Sequence, residues 1–520
     1  MPRLLSIPAA ALILLGVRSG GNESTWRVDL REKDGTELAL QMTLRIDGDR
    51  WALYSRPGGV NAFLSWRQRA LGRLTRRLPP KGALIYGSGQ AVAAGDSLLL
   101  RGTLESQFLG KRNLVGALRD ERLHADLMWQ SDTTVTAGRV DGIPWTSSGP
   151  LRNYPAIAAS TRDTIQALIY DPEIPARPNM RQFFDRLTAA SDRATDDLDM
   201  MAAFAAAQPL IGISHFGFVR NPRIAKTPID SLVAGDKSVD VARLVNFSLW
   251  GNGAVAYLRV RAWDRATPFI QRAFERIDSA RTSILVLDLT ANPGGDATSM
   301  TPATHLFRDT MSAGFVVGRA WYRAHRTLPT DADLATMPML ADEEQAKSLL
   351  KIVTSVGAAH FRFASRRPYF GGKVYLLVDE RTGSASEPLA YLLKATGRAT
   401  LVGKRTAGAV LTALPHAVGE GFIVTVPEAD YYAPGGFRLE GNGVGVDLAS
   451  ADPNVAVDEE IRKTMPYPGL EMLGQVAFNR KQFDAAEQYW TEARAIAPSE
   501  ASRRALDQRI AAVRRARLAP

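Results

Sequence analysis

The stretch RTGSASEPLA at 381–390 sets two serines on either side of one alanine. Taken alone, these serines with Glu387 and Pro388 make an ordinary helix start, because short polar side chains accept orphan amides and proline suits the first turn. The flanks add a second reading. The apolar run KVYLLVDE precedes Ser384 and the helix-forming EPLAYLLKATG follows it. Ser384 therefore falls at the C-terminal end of a strand and the positive end of a helix, where α/β folds put their chemistry. Upstream, ILVLDLTANPGGD ends another strand in Asn292-Pro293-Gly294-Gly295. NPGG by itself is a tight turn, but paired glycines also let backbone N–H groups approach a ligand as closely as an oxyanion requires. Two strand ends thus offer a nucleophile and an oxyanion cradle, the two parts that acyl transfer needs.

Other chemistries find little support. The chain has no cysteine, which removes disulfides, thiolate metal sites, a Cys nucleophile and a lipoprotein anchor. No HExxH, paired histidines or carboxylates of ligand spacing appear, and NPGGD lacks the lysine and spacing of a phosphate-binding loop. Neither a metal nor a cofactor is expected. The net charge is +10 over 520 residues, yet the densest basic runs, at 66–77 and 503–517, lack interleaved aromatics and read as solvated faces. Nucleic-acid binding is not expected.

These residues need a scaffold, and the sequence divides into five parts. Residues 1–21 join Arg3 to an apolar run from Leu4 to Val17, too short for a membrane span and suited to a signal peptide. The mature protein is expected to be secreted or periplasmic, in a bacterial envelope, with no stable membrane insertion. Residues 22–150 alternate and turn at Asp34-Gly35 and Asp47-Gly48, the pattern of an antiparallel β-domain, sandwich or small barrel. Residues 151–212 take helical spacing in MRQFFDRLTAA and DDLDMMAAFAAAQPL. From 213 to 460, fully apolar strands such as ILVLDL and VYLLVD alternate with helices, implying an α/β core whose strands are covered on both faces. A loop at 323–348 is read as an insertion over that core. In 461–520, Leu473, Gly474, Ala477, Ala486, Trp490, Ala493 and Pro498 fit the 34-residue tetratricopeptide pattern. A single such repeat must pack on the core or on a protein partner.

The trio LVLDLTANPGG, LLVDERTGSASEPLAYLLKATGRATLVGKRTAG and LEGNGVGVD resembles the serine protease family of tail-specific (carboxyl-terminal-processing) and tricorn core proteases, from Ile213 to about Val457. The resemblance implies a crotonase-like core, polypeptide substrates and Ser384 as nucleophile. It makes the amides of Gly294 or Gly295 and of Ala385 the oxyanion donors. The tail-specific branch takes its base from a lysine where this chain has Ala409, and Lys404 is misplaced for that role. The tricorn branch instead uses a Ser-His pair upstream and a glutamate downstream. Ser214-His215 in ISHFGFVR and Glu440 in RLEGNGVGVD occupy those places. His215 is then the general base, oriented through Ser214 and Glu440. Asp288 is expected to brace the NPGG turn, where Thr290 replaces the arginine often found in relatives. His124, His305, His325, His360 and His416 have no comparable setting. The interval from Phe216 to Gly251 is too short for a PDZ domain, so substrate selection is expected from the β-domain or the 323–348 insertion. The expected activity is that of a tricorn-like serine endopeptidase. The alternatives are a non-catalytic ligand- or protein-binding module on the same fold, as in the retinoid-binding proteins of the eye, and a scaffold in which the tetratricopeptide tail and the β-domain do the work while the core is passive.

Overall fold

The computed structural model describes residues 23–57, 82–106, 110–147, 149–228, 240–340 and 349–518. Residues 1–21, expected to be a signal peptide, and the basic run at 66–77 lie outside them. Strands β1 (Glu23–Glu32), β2 (Glu37–Asp47), β3 (Arg50–Tyr54), β4 (Ile85–Ala94), β5 (Ser97–Ser106), β6 (Gly110–Arg119), β7 (Arg122–Trp129) and β8 (Thr136–Pro144) form a closed antiparallel barrel. Of the two expected architectures, pairing of β1 with both β2 and β8 selects the barrel, and closure leaves no edge strand exposed. Alternation does the filling: Leu38, Leu40, Met42 and Leu44 of β2 are all buried. The turns fall at Gly35 and Gly48, whose φ of 94° and 59° suit glycine.

Helices Tyr154–Leu168, Pro178–Ser191 and Asp197–Ala207 then lead toward the core. The start of the third helix grips the barrel. The Asp196 carboxylate caps it by accepting from the Asp199 amide and also accepts from the Gln41 amide of β2, both at 2.9 Å. Asp197 accepts from the Ala39 amide at 2.7 Å, from Tyr154 at 2.9 Å and from Arg152 at 2.8 Å.

The remaining strands are β9 (Gly217–Arg220), β10 (Val245–Trp250), β11 (Val255–Val260), β12 (Ile284–Asp288), β13 (Met311–Gly318), β14 (Met339–Leu340), β15 (Ala358–Phe363), β16 (Lys373–Val378), β17 (Thr400–Gly403), β18 (Thr412–Gly419), β19 (Phe422–Ala433), β20 (Phe437–Arg438) and β21 (Leu448–Ala449). They build two sheets. The first, in order β10-β11-β12-β16-β17-β21, is parallel except for β10. Apart from the end residues Asp288 and Lys373, its central strands β12 and β16 are almost wholly apolar because helices cover both faces. Leu285, Leu287, Val374 and Leu376 pack toward helices Thr267–Ser279 and Ser386–Ala395, whereas Val286, Tyr375 and Leu377 pack toward helix Pro453–Thr464. The second sheet runs β14-β15-β13-β19-β18, with β9 and β20 also on β19. The described part of the 323–348 insertion is not a plain loop. A capping box between Thr330 and Asp333 starts the short helix Asp331–Thr336, and β14 follows.

Four helices close the chain: Pro453–Thr464, Pro466–Asn479, Phe483–Ala495 and Glu500–Leu518. Trp490 is buried between them and donates to the Glu471 carbonyl at 3.1 Å. It lies so close to Gly474 that a Cβ there would meet the indole at 2.3 Å. Arg509 stacks between Trp250 of the core and Trp490, tying this helical end to the first sheet. Among the described residues no helix is long and apolar enough to cross a membrane.

Candidate active site

Ser384 follows β16 across a short turn, and helix Ser386–Ala395 begins two residues later. Its φ is +50°, a left-handed conformation that costs a non-glycine residue and persists only where neighbours impose it. They do so here. The Ser384 amide donates to the Ala409 carbonyl at 2.7 Å, and the Gly383 amide donates to the Asn292 carbonyl at 3.0 Å. The side chain is therefore fixed at a sharp strand-to-helix turn, half-exposed. Among the described residues the Ser384 hydroxyl makes no hydrogen bond.

The NPGG turn is pressed against this elbow. A Cβ added at Gly294 would lie 2.4 Å from the Ser384 Cβ and 2.9 Å from the Ala385 amide nitrogen, so glycine is required by contact as well as by its φ of 107°. Asn292, fully buried, holds the turn from inside. Its side-chain amide donates to the Val260 carbonyl at 3.0 Å, and its oxygen accepts from the Gly294 amide at 2.9 Å. The Gly294 N–H is thus occupied. Among the described residues the N–H groups of Gly295 and Ala385 have no partner, so of the three expected oxyanion donors these two are free to serve. Trp263 holds the far side of the turn, pairing with Gly295 through its backbone and donating its indole N–H to the Ser386 hydroxyl at 2.7 Å. At the head of the turn, Asp288 accepts from the Thr290 amide and hydroxyl at 2.9 and 2.6 Å and from the Tyr257 hydroxyl.

His215 precedes β9, which pairs with Phe422–Thr425 of β19. It too has a positive φ, 61°. The Ser214 hydroxyl lies 2.6 Å from His215 Nδ1 and 2.8 Å from Glu440 Oε2, and the Ser214 amide donates to Glu440 Oε1 at 2.7 Å. A carboxylate can only accept, and a hydroxyl has one hydrogen. That hydrogen goes to Glu440, so the hydroxyl accepts from Nδ1–H, which leaves the Nε2 lone pair available. This tautomer is the one that can take a proton. Burial pulls the imidazole pKa below its ordinary 6.5, partly offset by the Glu440 charge.

One peptide segment links the base to the elbow. Ala409 receives the Ser384 amide through its carbonyl, and the next residue, Val410, donates its amide to Glu440 Oε2 at 3.0 Å. Glu387 organises that segment. Fully buried, it accepts from the Thr406 hydroxyl at 2.6 Å and from the amides of Gly408 and Ala409 at 2.8 Å. Burial raises its pKa against the pull of these donors. The sequence reading treated Glu387 as part of a helix start. Its signal was a lone acid on the apolar face of EPLAYLL, a position that calls for buried donors. Ala409, at the site of the lysine of the tail-specific branch, contributes only backbone here. Lys404 pairs at the surface with Glu380 at 3.1 Å.

The other histidines stand elsewhere. His124 pairs with Asp141, His416 contacts Glu428 at 2.6 Å, and His305 and His325 stack on Phe274 and Trp321. His360 lies 2.8 Å from the Ser312 hydroxyl, with no carboxylate behind that hydroxyl among the described residues.

Residues 254–450 match the family described as peptidase family S41. The carboxyl-terminal-processing protease of Synechocystis sp. is 26% identical over 207 residues, which is 40% of this chain and 40% of the relative. The chain therefore matches less than half the length of that curated protein. Among solved structures, the photosystem II D1 C-terminal processing protease aligns with 59% of this chain and 95% of its own at 15% identity, with a TM-score of 0.38. The tricorn protease aligns with 85% of this chain and 59% of its own at 11% identity, with a TM-score of 0.37. Residues 254–450 are thus the part of this chain that is similar to peptidase family S41.

Proposed function

We propose that this protein is a serine endopeptidase that cleaves polypeptides through a Ser384 acyl-enzyme. The observation that carries the reading is the Glu440–Ser214–His215 relay, which fixes the tautomer a general base needs and hangs from the same segment as the Ser384 amide. In the first step Ser384 Oγ attacks the scissile carbonyl carbon while its proton passes to His215 Nε2. The carbonyl oxygen becomes an oxyanion and accepts from the amides of Gly295 and Ala385. Collapse breaks the C–N bond as His215 returns the proton to the leaving amine. Water then attacks the ester carbon and gives a proton to His215, and collapse breaks the C–Oγ bond as His215 returns that proton to Ser384 Oγ and the acid product leaves. Glu440 and Ser214 touch the base and not the substrate, so both act as positioning residues.

The wider assignment follows the same reading. The core is crotonase-like, the terminal helices are a tetratricopeptide-like unit open to a protein partner, and the protein works outside the cytoplasm, secreted or in a bacterial periplasm. Substrates are selected without a PDZ domain.

Labelling with a fluorophosphonate probe tests the reading. The wild type is expected to be labelled, with the adduct mapped by peptide mass spectrometry to Ser384, and Ser384→Ala and His215→Ala to be unlabelled while still folded. Mapping matters because Ser312 also contacts a histidine. A folded wild type that takes no label would move the protein to the binding-module reading.

A further inference from the structure

A cavity of about 400 Å³ lies in the second sheet, between the strand pair β13–β15 and the helix Asp331–Thr336, and is lined by none of the proposed catalytic or oxyanion residues. Its floor is polar. Ser312 sits directly opposite Arg362 across the strand pair, and His360, two residues before Arg362, points to the same face of β15 and contacts the Ser312 hydroxyl. The register slips between Ser312 and Phe315, a bulge of the kind that re-aims side chains beside binding sites. The lid is apolar, with Leu334 from the helix and Met339 from β14, and Phe315 closes the wall. Asp331, in the first turn of the same helix, also lines the space and is, among the described residues, the one acid in an otherwise apolar lid.

The charges identify what the floor suits. His360 is held below its ordinary pKa mainly by burial and also by the Arg362 charge, against a hydrogen bond to the Leu334 backbone, so at neutral pH its ring is uncharged. Among the described residues Arg362 has no carboxylate partner, and its guanidinium hydrogen-bonds only to the Met339 sulfur, at 3.7 Å. The floor therefore presents one uncompensated planar cation beside a hydroxyl and an imidazole. A guanidinium matches a carboxylate in shape and charge. The volume and the apolar lid are those of a small-ligand site with a few fixed polar groups.

We propose that this cavity binds a carboxylate borne on a compact apolar group, with the anion on Arg362 and the apolar part between Phe315, Leu334 and Met339. The two sources of that chemistry are the C-terminal residue of a polypeptide and a free apolar acid. The first would make the 323–348 insertion a substrate selector.

The test is calorimetric titration of the full-length Ser384→Ala protein, so that peptides survive and the outcome is independent of whether Ser384 is the nucleophile. The probes are an N-acetylated peptide ending in leucine, the same peptide amidated at its C-terminus, and 4-methylpentanoate. The free-acid peptide is expected to bind about tenfold or more tighter than the amide, the span of a charge-assisted hydrogen bond. Arg362→Gln is expected to erase that preference, and Ala335→Trp, filling the cavity from the helix, to weaken free-acid binding. Equal binding of acid and amide, or a preference that survives Arg362→Gln, overturns the proposal. 4-Methylpentanoate binding as tightly as the peptide assigns the site to free acids; binding at least tenfold weaker assigns it to peptide termini. Should Ala335→Trp fail to fold, the surface substitution Arg362→Gln alone decides.

Discussion

Two places in this protein bring a serine hydroxyl to an imidazole, and they are built differently. At Ser214–His215 the residues are adjacent in sequence, the hydroxyl sits on Nδ1, and a buried glutamate stands behind it, leaving Nε2 free. At Ser312–His360 the residues are 48 apart, the hydroxyl occupies Nε2 itself, and a backbone carbonyl, not a carboxylate, steadies the ring. A Ser–His contact is therefore no measure of catalysis. In the proposed mechanism the reactive serine is a third residue, Ser384, whose strained backbone and adjacent free amides prepare it, while the serine that touches the base only relays a charge. In the second pair the hydroxyl hydrogen is spent on Nε2, since the ring's own N–H goes to the Leu334 backbone, and the donor left for a ligand is the Arg362 cation beside it.

The contrast can be broken at its strongest point first. Ser384→Ala and His215→Ala are each expected to lower peptide hydrolysis by at least about 10⁴-fold, measured as kcat/KM, since members of such a set fail as a unit. Next comes the relay. Glu440→Gln keeps the shape of the site but exchanges a pure acceptor for a group that also donates; a loss of about 10²-fold in kcat with little change in KM is expected from steady-state kinetics. The pH profile sharpens the same point. A general base must be unprotonated, and burial places His215 below 6.5, so the acid limb of kcat/KM should fall below the ordinary histidine value. Glu440 holds that value up, so Glu440→Gln should move the limb lower still, whereas removing a merely structural residue would not move it. Glu387→Gln leaves at least one of three buried donors poorly matched, and thermal unfolding should report a loss of about 1–3 kcal/mol. The smallest effect belongs to the second pair: Ser312→Ala should change hydrolysis of C-terminally amidated peptides less than about twofold, as expected of a substitution remote from the chemistry.

How far these features could be read in advance depended on their range. The barrel hairpins at Asp34-Gly35 and Asp47-Gly48 and the buried strands ILVLD and VYLLV are local patterns, legible because the period of alternation and the turn chemistry lie within a few residues. Ser384 and NPGG were legible as strand ends. Barrel closure was not, because it rests on the pairing of β1 with β8 across the whole domain. Nor was the division of labour between the two glycines, which follows from the Asn292 side chain taking the Gly294 amide. Glu387 looked like a helix-start residue since only the fold brings Thr406, Gly408 and Ala409 to it. His360 had no visible context for the same reason. His215 and Glu440 were visible through resemblance alone, being chemically ordinary residues in separate parts of the chain.

The distance between those last two has a further consequence. Ser214 meets Glu440 across 226 residues of sequence. Contacts of such long range carry the largest loop-closure cost and form late. A chain emerging from the ribosome can therefore complete its barrel, its connecting helices and its Ser384 elbow while the base still has no counter-charge. On this reading, competence arrives after architecture: nascent and partly folded molecules, whose own loose segments would be the nearest available substrate, are harmless until Glu440 has been made and docked. Refolding should show the same order, with tryptophan fluorescence recovering before hydrolysis.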